Sequence, residues 1–281
     1  MIILTHRGLE PTKNNFFSES SYEAFGDHLK RGFGIEFDVN FTKDGKIVIV
    51  HDSTLERITN GQDKRPLSEV SSSEINKIKL QRGRLCFFDE LANLIQKGSS
   101  IVNALHLKGK FQDKKHLDIL ITALKKNKAI LKKILVFDVK PQTARYLLKF
   151  LPNLKLAPSV AHPYDIKRYN AAVLQTLISV NRALKLRKIY SWVWLDEWDL
   201  TDKNNGKKTL YNQGTFEKLK ATGYKIALVT PELHGTSPGL LGGETHSAAK
   251  DPKILFKRIR EIILLKPSAI CTDYPEEVKN L

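Results

Sequence analysis

Ile35-Glu36-Phe37-Asp38-Val39, then Lys43-Asp44-Gly45, then Ile47-Val48-Ile49-Val50 and finally His51-Asp52 are read in that order between residues 35 and 52. The first apolar run carries two acids at alternate positions, the spacing of a strand with both carboxylates on one side. Asp-Gly between two such runs is a turn signal, so Ile47–Val50 is expected to fold back on Ile35–Val39 as a hairpin. Working outward, further apolar runs occur at Ile2–Leu4, Ile101–Leu107, Ile134–Phe137, Leu154–Ala157, Ile189–Leu195, Lys225–Val229 and Ala269–Cys271. Between most of them lie amphipathic stretches with helical spacing, at Glu19–Leu29, Phe88–Gln96, His116–Lys126, Thr143–Leu151, Tyr164–Leu186, Thr215–Thr222 and Pro252–Leu265. Strand alternating with helix predicts parallel βαβ units. With the hairpin partner set aside, eight runs remain, which favours a closed α/β (β/α)8 TIM barrel over an open sheet. The irregular stretch of about residues 54–85 is expected to be a small excursion after the second strand, within one domain spanning residues 1–281.

The chain has 281 residues, of which 41% are hydrophobic, enough for one large core. No apolar run is long enough for a membrane-spanning helix. Met1–His6 reads as a first strand with no basic leader, which predicts a cytoplasmic protein. Cys86 and Cys271 form neither a disulfide framework nor a thiolate metal site. The net charge of +16 is spread over many short Lys/Arg groups without interleaved aromatic residues. A nucleic-acid partner is therefore not expected, and charge alone does not choose between a solvated basic surface, an anionic membrane face and attraction of a phosphorylated substrate. No Gly-x-Gly-x-x-Gly follows a strand, so dinucleotide binding loses its main support.

The polar residues that end the runs carry the chemistry. His6-Arg7-Gly8 ends the first strand; Glu36 and Asp38 share a side of the second; His51-Asp52 follows the hairpin; His106 and Lys108 lie two apart at the next strand end. Two converging carboxylates suit a hard divalent ion such as Mg²⁺ or Ca²⁺. Histidines at neighbouring strand ends can move protons near neutral pH. A lysine beside them can neutralise charge developing on a phosphoryl group.

The same residues carry a resemblance. His6-Arg7-Gly8, Glu23-Ala24-Phe25, Gly34 to Val39, Thr42 to Gly45 and His51 to Arg57 resemble the glycerophosphodiester phosphodiesterase family, part of the phospholipase-C-like phosphodiesterase barrels. Phe88-Asp89-Glu90-Leu91 resembles a later helix start of that family, and Ile270-Cys271-Thr272-Asp273-Tyr274-Pro275 its closing strand and turn. The resemblance implies that His6 and His51 are general acid and base, that Glu36 and Asp38 bind the metal, and that Arg7 and Lys108 contact phosphate. The substrate it implies is a small-molecule phosphodiester; it leaves the oligomeric state open.

Two positions depart from the family. Its Glu-x-Lys, whose glutamate is a third metal ligand, is here His106-Leu107-Lys108. An imidazole ligand removes one negative charge and makes Mn²⁺ or Zn²⁺ possible alternatives to Mg²⁺ or Ca²⁺. The expected consequences are an altered metal preference, a weakened site, or a carboxylate recruited from Asp196, Glu197 or Glu232. The family's late Trp-Thr-Val-Asn-like strand is also replaced, by Trp192 to Trp198 and by Ala227 to Gly235, where Trp194, Glu232 and His234 are candidate substrate contacts. Two other readings stay open at this point. One is a related barrel acting as a lyase or transferase that ends with a cyclic phosphate. The other is a catalytically lapsed module that binds phosphorylated ligands.

Overall fold

The computed structural model describes residues 1–197, 209–233 and 247–281, together with the backbone of 201–202 and 206–207. In chain order its strands are β1 (Ile2–His6), β2 (Gly34–Phe41), β3 (Ile47–Ile49), β4 (Cys86–Phe87), β5 (Asn103–His106), β6 (Ile134–Phe137), β7 (Lys155–Leu156), β8 (Ser159–Ala161), β9 (Leu177–Ile178), β10 (Trp192–Asp196), β11 (Thr201–Asp202), β12 (Gly206–Lys207), β13 (Lys225–Val229) and β14 (Ala269–Thr272). Parallel pairing runs from β14 through β1, β2, β5 and β6 to β7, and from β14 through β13 and β10 to β8. β7 and β8 are the two ends of one stave, interrupted at Ala157-Pro158. Ala157 N donates to Val136 O at 2.9 Å on one edge, and Pro158 O accepts from Trp194 N at 3.1 Å on the other. Proline has no N–H to give to a ladder, and its break here falls where the stave passes from one neighbour to the other. The eight expected strands therefore close into a barrel.

Alternation along the strands sorts side chains into two layers. Ile35, Phe37, Val39, Leu105, Val136, Val193, Leu195, Leu228 and Ile270 belong to the outer core between strands and helices. Leu4, Ala104, Leu135, Phe137, Trp192, Trp194, Ala227, Ala269 and Cys271 fill the interior. Alanines on β5, β13 and β14 leave room for the large rings on β6 and β10, the small-against-large packing a barrel interior requires. The same parity sends His6, Glu36, Asp38 and His106 inward, because each lies an even number of residues from an interior side chain or an odd number from an outer one. The parallel registers pair His6 with Glu36 and, two residues further along β2, Asp38 with His106 and His106 with Phe137, so these residues fall in two adjacent rows at the C-terminal ends of the strands.

β3 pairs antiparallel with β2 across the Asp44-Gly45 turn, as expected, and β4 adds to β3. Gly45 has φ +75°, the left-handed conformation that an Asp-Gly turn needs. The excursion that follows has its own small core: Leu55, Leu67, Val70, Ile75, Leu80 and Leu85 pack on Val48 and Val50.

One expected element differs. Tyr164–Leu186 is not one helix but a helix over Pro163–Tyr169, the strand β9, and a second helix over Val180–Lys185. Leu174 and Gln175 both have positive φ, at 57° and 65°, which a continuous helix cannot accommodate. Asn170 holds the turn, its Oδ1 accepting from Leu177 N at 3.0 Å and its carbonyl from Gln175 N at 2.7 Å. Among the described residues no helix is long and apolar enough to cross a membrane.

Candidate active site

The C-terminal ends of β1, β2, β5 and β6, with the loop after β3, bring the expected polar residues together. His6 ends β1 and is 5% exposed. Its Nδ1 lies 2.8 Å from Asp273 Oδ1, in the turn after β14. Arg7 follows in the left-handed region, φ +52°, with its N donating to Glu36 O at 3.0 Å. That turn re-aims the chain, so the Arg7 guanidinium reaches sideways and places Nε 3.3 Å from Asp38 Oδ2. His51 follows the hairpin, with Nδ1 2.6 Å from Asp52 Oδ1. Arg57 Nε donates to Asp52 Oδ2 and Arg57 Nη2 to Glu19 Oε1, each at 2.5 Å, which steadies the carboxylate behind the imidazole. Lys108 donates Nζ to the His51 carbonyl, and the same Nζ lies 3.2 Å from Asp38 Oδ1.

Asp38 is the hub. Its Oδ1 is 2.8 Å from His106 Nδ1 as well as close to Lys108. Burial by itself would raise its pKa, but Lys108, His51, His106 and Arg7 together hold it well below the usual carboxylate range. Glu36, on the same face, goes the other way: burial and then repulsion from Asp38 push its carboxyl well up. Burial also lowers His51 to about 4, against the pull of Asp38 and Asp52, so its imidazole is neutral at neutral pH. For His106 burial acts downward too, yet the flanking Asp138 and Asp38 carboxylates carry it up to about 9.

A divalent ion fits this donor set. Ligand atoms of Glu36, Asp38 and His106 all lie within 4.8 Å of one another. Among the described residues, Glu36 Oε2 is buried and accepts no hydrogen bond, a costly state that a cation would relieve, while Asp38 Oδ2 has only the Arg7 Nε at 3.3 Å. A second group of this kind, Glu10, Asp27 and His28, differs. There Arg31 Nη2 pairs with both acids, Asp27 Oδ2 at 2.8 Å and Glu10, whereas in the first group Arg7 and Lys108 pair with Asp38 and, among the described residues, Glu36 has no ion pair.

The remaining candidates are placed as follows. Trp194 lies mid-strand on β10, 3% exposed, and stacks on Phe137 at 3.8 Å between ring centroids. Phe137 in turn stacks on His106 at 4.7 Å. Trp194 thus faces the barrel interior two residues before the end of β10, one ring removed from His106. Glu232 Oε1 accepts from Thr230 Oγ1, Thr272 Oγ1 and Asp273 N at 2.6, 2.7 and 3.1 Å. Burial and then Asp273 raise its pKa, and its bond to Asp273 N places it behind the His6–Asp273 pair. Glu197 is tied to Leu210 N, Tyr211 N and Arg258, and neither it, Asp196 nor Glu232 joins the Glu36–Asp38–His106 group. His234 and Trp198 lie outside the described residues. The carboxylate that does stand beside His106 is Asp138, with Oδ2 3.5 Å from His106 Nε2. Sequence reasoning missed it, and also gave Asp52 and Asp273 no role; an acid directly after a strand is the signal that Asp138 and Asp273 share, while Asp52 follows His51.

The molecule is thus an α/β barrel whose C-terminal face joins two carboxylate-backed imidazoles, a buried acid pair and two cations. The sequence model of the glycerophosphoryl diester phosphodiesterase family matches residues 6–276. The chain belongs to that family. A glycerophosphodiester phosphodiesterase from Caldanaerobacter subterraneus subsp. tengcongensis is 42% identical over 62 residues, a match spanning 22% of this chain and only 24% of that relative's length. Among solved structures, a glycerophosphoryl diester phosphodiesterase from Parabacteroides distasonis is similar with a TM-score of 0.66 and 19% identity, over 99% of this chain and 85% of that one. A phosphodiesterase from Oleispira antarctica, solved with the product sn-glycerol-3-phosphate, has a TM-score of 0.64 and 15% identity, over 100% of this chain and 96% of that one. At these identities the structural likeness speaks to the fold.

Proposed function

We propose that this chain is a divalent-metal-dependent phosphodiesterase, acting as one domain over residues 1–281 on a small glycerophosphodiester. The observation that carries the reading is the pairing of His6 and His51, each with a carboxylate on Nδ1, at the strand ends that also bring together Glu36, whose buried Oε2 accepts no hydrogen bond, Asp38 and His106. A carboxylate on Nδ1 fixes the ring and leaves proton transfer to Nε2. His51, neutral at working pH, takes the proton from the attacking water or hydroxyl as its oxygen bonds to phosphorus. His6, whose imidazolium is stabilised by Asp273, delivers a proton to the leaving alcohol as the P–O bond breaks. Arg7 and Lys108 bind the non-bridging oxygens and hold the diester in line. Glu36, Asp38 and His106 hold the cation, Mg²⁺ or Ca²⁺ by the carboxylates, with Mn²⁺ or Zn²⁺ favoured by the imidazole. When bound, that ion supplies Lewis-acid stabilisation of charge on a phosphoryl oxygen. Trp194 supports His106 through Phe137, and Glu232 steadies Asp273 instead of meeting substrate directly.

The test is phosphorus NMR of a glycerophosphodiester incubated with metal-stripped protein, with Mg²⁺, Ca²⁺, Mn²⁺ or Zn²⁺ restored one at a time. The expected result is conversion to a phosphomonoester only in a metal arm. A persistent cyclic diester would replace hydrolysis by the lyase or transferase reading. Tight substrate binding with no turnover in any arm would leave a binding module.

A further inference from the structure

His106 lies between two carboxylates of different standing. Its Nδ1 faces Asp38, a member of the cation-binding group, at 2.8 Å. Its Nε2 faces Asp138 Oδ2 at 3.5 Å, outside that group. An imidazole that ligates a cation through one nitrogen is oriented by the acceptor of the N–H on the other. Asp138 stands where that acceptor belongs.

Its position is built, not incidental. Asp138 is 6% exposed and has φ +66°, a left-handed conformation that costs energy outside glycine and is least costly for Asn and Asp. Gln112 holds that backbone in place. Its Nε2 donates to Leu107 O at 2.8 Å and to Asp138 O at 2.7 Å, and its Oε1 accepts from Lys140 N at 3.0 Å. One amide thus clamps the exit of β5, just past His106, to the exit of β6 at Asp138 and at Lys140. The stack of His106 on Phe137, at 4.7 Å and 11° between planes, leaves the ring's edge facing the two acids.

We infer that Asp138 is the positioning residue of the cation site, accepting the His106 Nε2–H so that Nδ1 is turned to the ion, and restoring the negative charge that a histidine ligand does not provide. The inference rests on the metal-site reading above. Glu36 and Asp38 contribute two carboxylates to the first coordination sphere; Asp138 adds a third charge one atom layer out, through the ring. Its counterpart in the sequence is the recruited carboxylate expected beside His106, found after β6 instead of after β10 or β13.

The test is Mn²⁺ affinity by calorimetric titration of four metal-stripped proteins: wild type, Asp138→Asn, His106→Glu and the double variant. Asparagine keeps the left-handed backbone, and unfolding midpoints in EDTA check that each variant is folded. The expected result is a roughly 10- to 100-fold weaker affinity for Asp138→Asn, the usual effect of losing such a partner. In the His106→Glu background the same change is expected to cost less than about 3-fold, because no imidazole remains to be oriented. Equal losses in both backgrounds would overturn the inference, as would an unchanged affinity in Asp138→Asn. A wild type that binds Mn²⁺ with an affinity indifferent to Glu36→Gln would instead overturn the metal-site reading, and this inference with it.

Discussion

Replacing His51 by alanine is expected to lower kcat by about 100- to 10,000-fold, the usual worth of a positioned acid or base, with little change in the fold. The side chain is tied only through Nδ1 to Asp52, and Asp52 keeps its bond to Arg57 when the imidazole is gone. The His51 carbonyl, which accepts from Lys108, is retained in the variant. His6→Ala is expected to lose a similar factor, and the double variant to lose far less than the product, because in the proposed mechanism the two rings serve the same displacement. Substrate affinity, which the proposed function assigns to Arg7, Lys108 and the cation, is expected to change less than kcat. Steady-state kinetics of the three variants in saturating metal makes the check; a loss below about 3-fold in either single variant would remove that histidine from the chemistry.

The second large effect is a contrast in sign between two acids on one face of β2. Asp38 is 1% exposed and faces Arg7, His106 and Lys108 at 3.3, 2.8 and 3.2 Å. Asp38→Asn leaves those cations buried without their main counter-charge, and is expected to destabilise the metal-free protein by about 3–5 kcal/mol. Glu36, two residues away, is held above the ordinary glutamate range by burial and by Asp38, and its Oε2 has no donor. Glu36→Gln is therefore expected to leave the metal-free protein as stable as wild type, or more so, near neutral pH. The pH dependence follows in sign. The folded metal-free protein keeps a proton on Glu36 that the unfolded chain has released, so this group's stabilising contribution is complete at acid pH. It is lost as pH rises through the raised value. Glu36→Gln is expected to flatten that fall. Urea unfolding in EDTA at several pH values decides it, and equal destabilisation by the two substitutions would contradict the charge arrangement described.

The barrel was legible because a strand buried on both faces reads as a continuous apolar run, and eight such runs survive once Asp44-Gly45 marks β3 as a hairpin partner. His6, Glu36, Asp38, His51, His106 and Lys108 were legible because they end those runs with alternate spacing. Asp138 was not, since it is a single acid after Phe137 with no partner nearby in the chain. Its meaning comes from the β5–β6 register, which sets Phe137 beside His106. Asp273 is similar: it lies 267 residues from His6 and reaches it only because β14 closes the barrel on β1. The break within Tyr164–Leu186 was hidden by helical spacing on both sides of a turn that depends on Asn170 and two left-handed residues. The residue type of Trp194 suggested a substrate contact; its neighbours, Phe137 and through it His106, come only from the packing of β10 and β6 inside the barrel.

The most direct measurement is anomalous diffraction from crystals of the wild-type protein soaked in Mn²⁺ and, separately, from Asp38→Asn crystals treated alike. One strong peak bonded to carboxylate oxygens of Glu36 and Asp38 and to a ring nitrogen of His106, with His6 and His51 on either side of it and no peak in the variant, is the predicted result. A wild-type map with no ion among these three residues, or a peak unaffected by the loss of Asp38, would contradict the account.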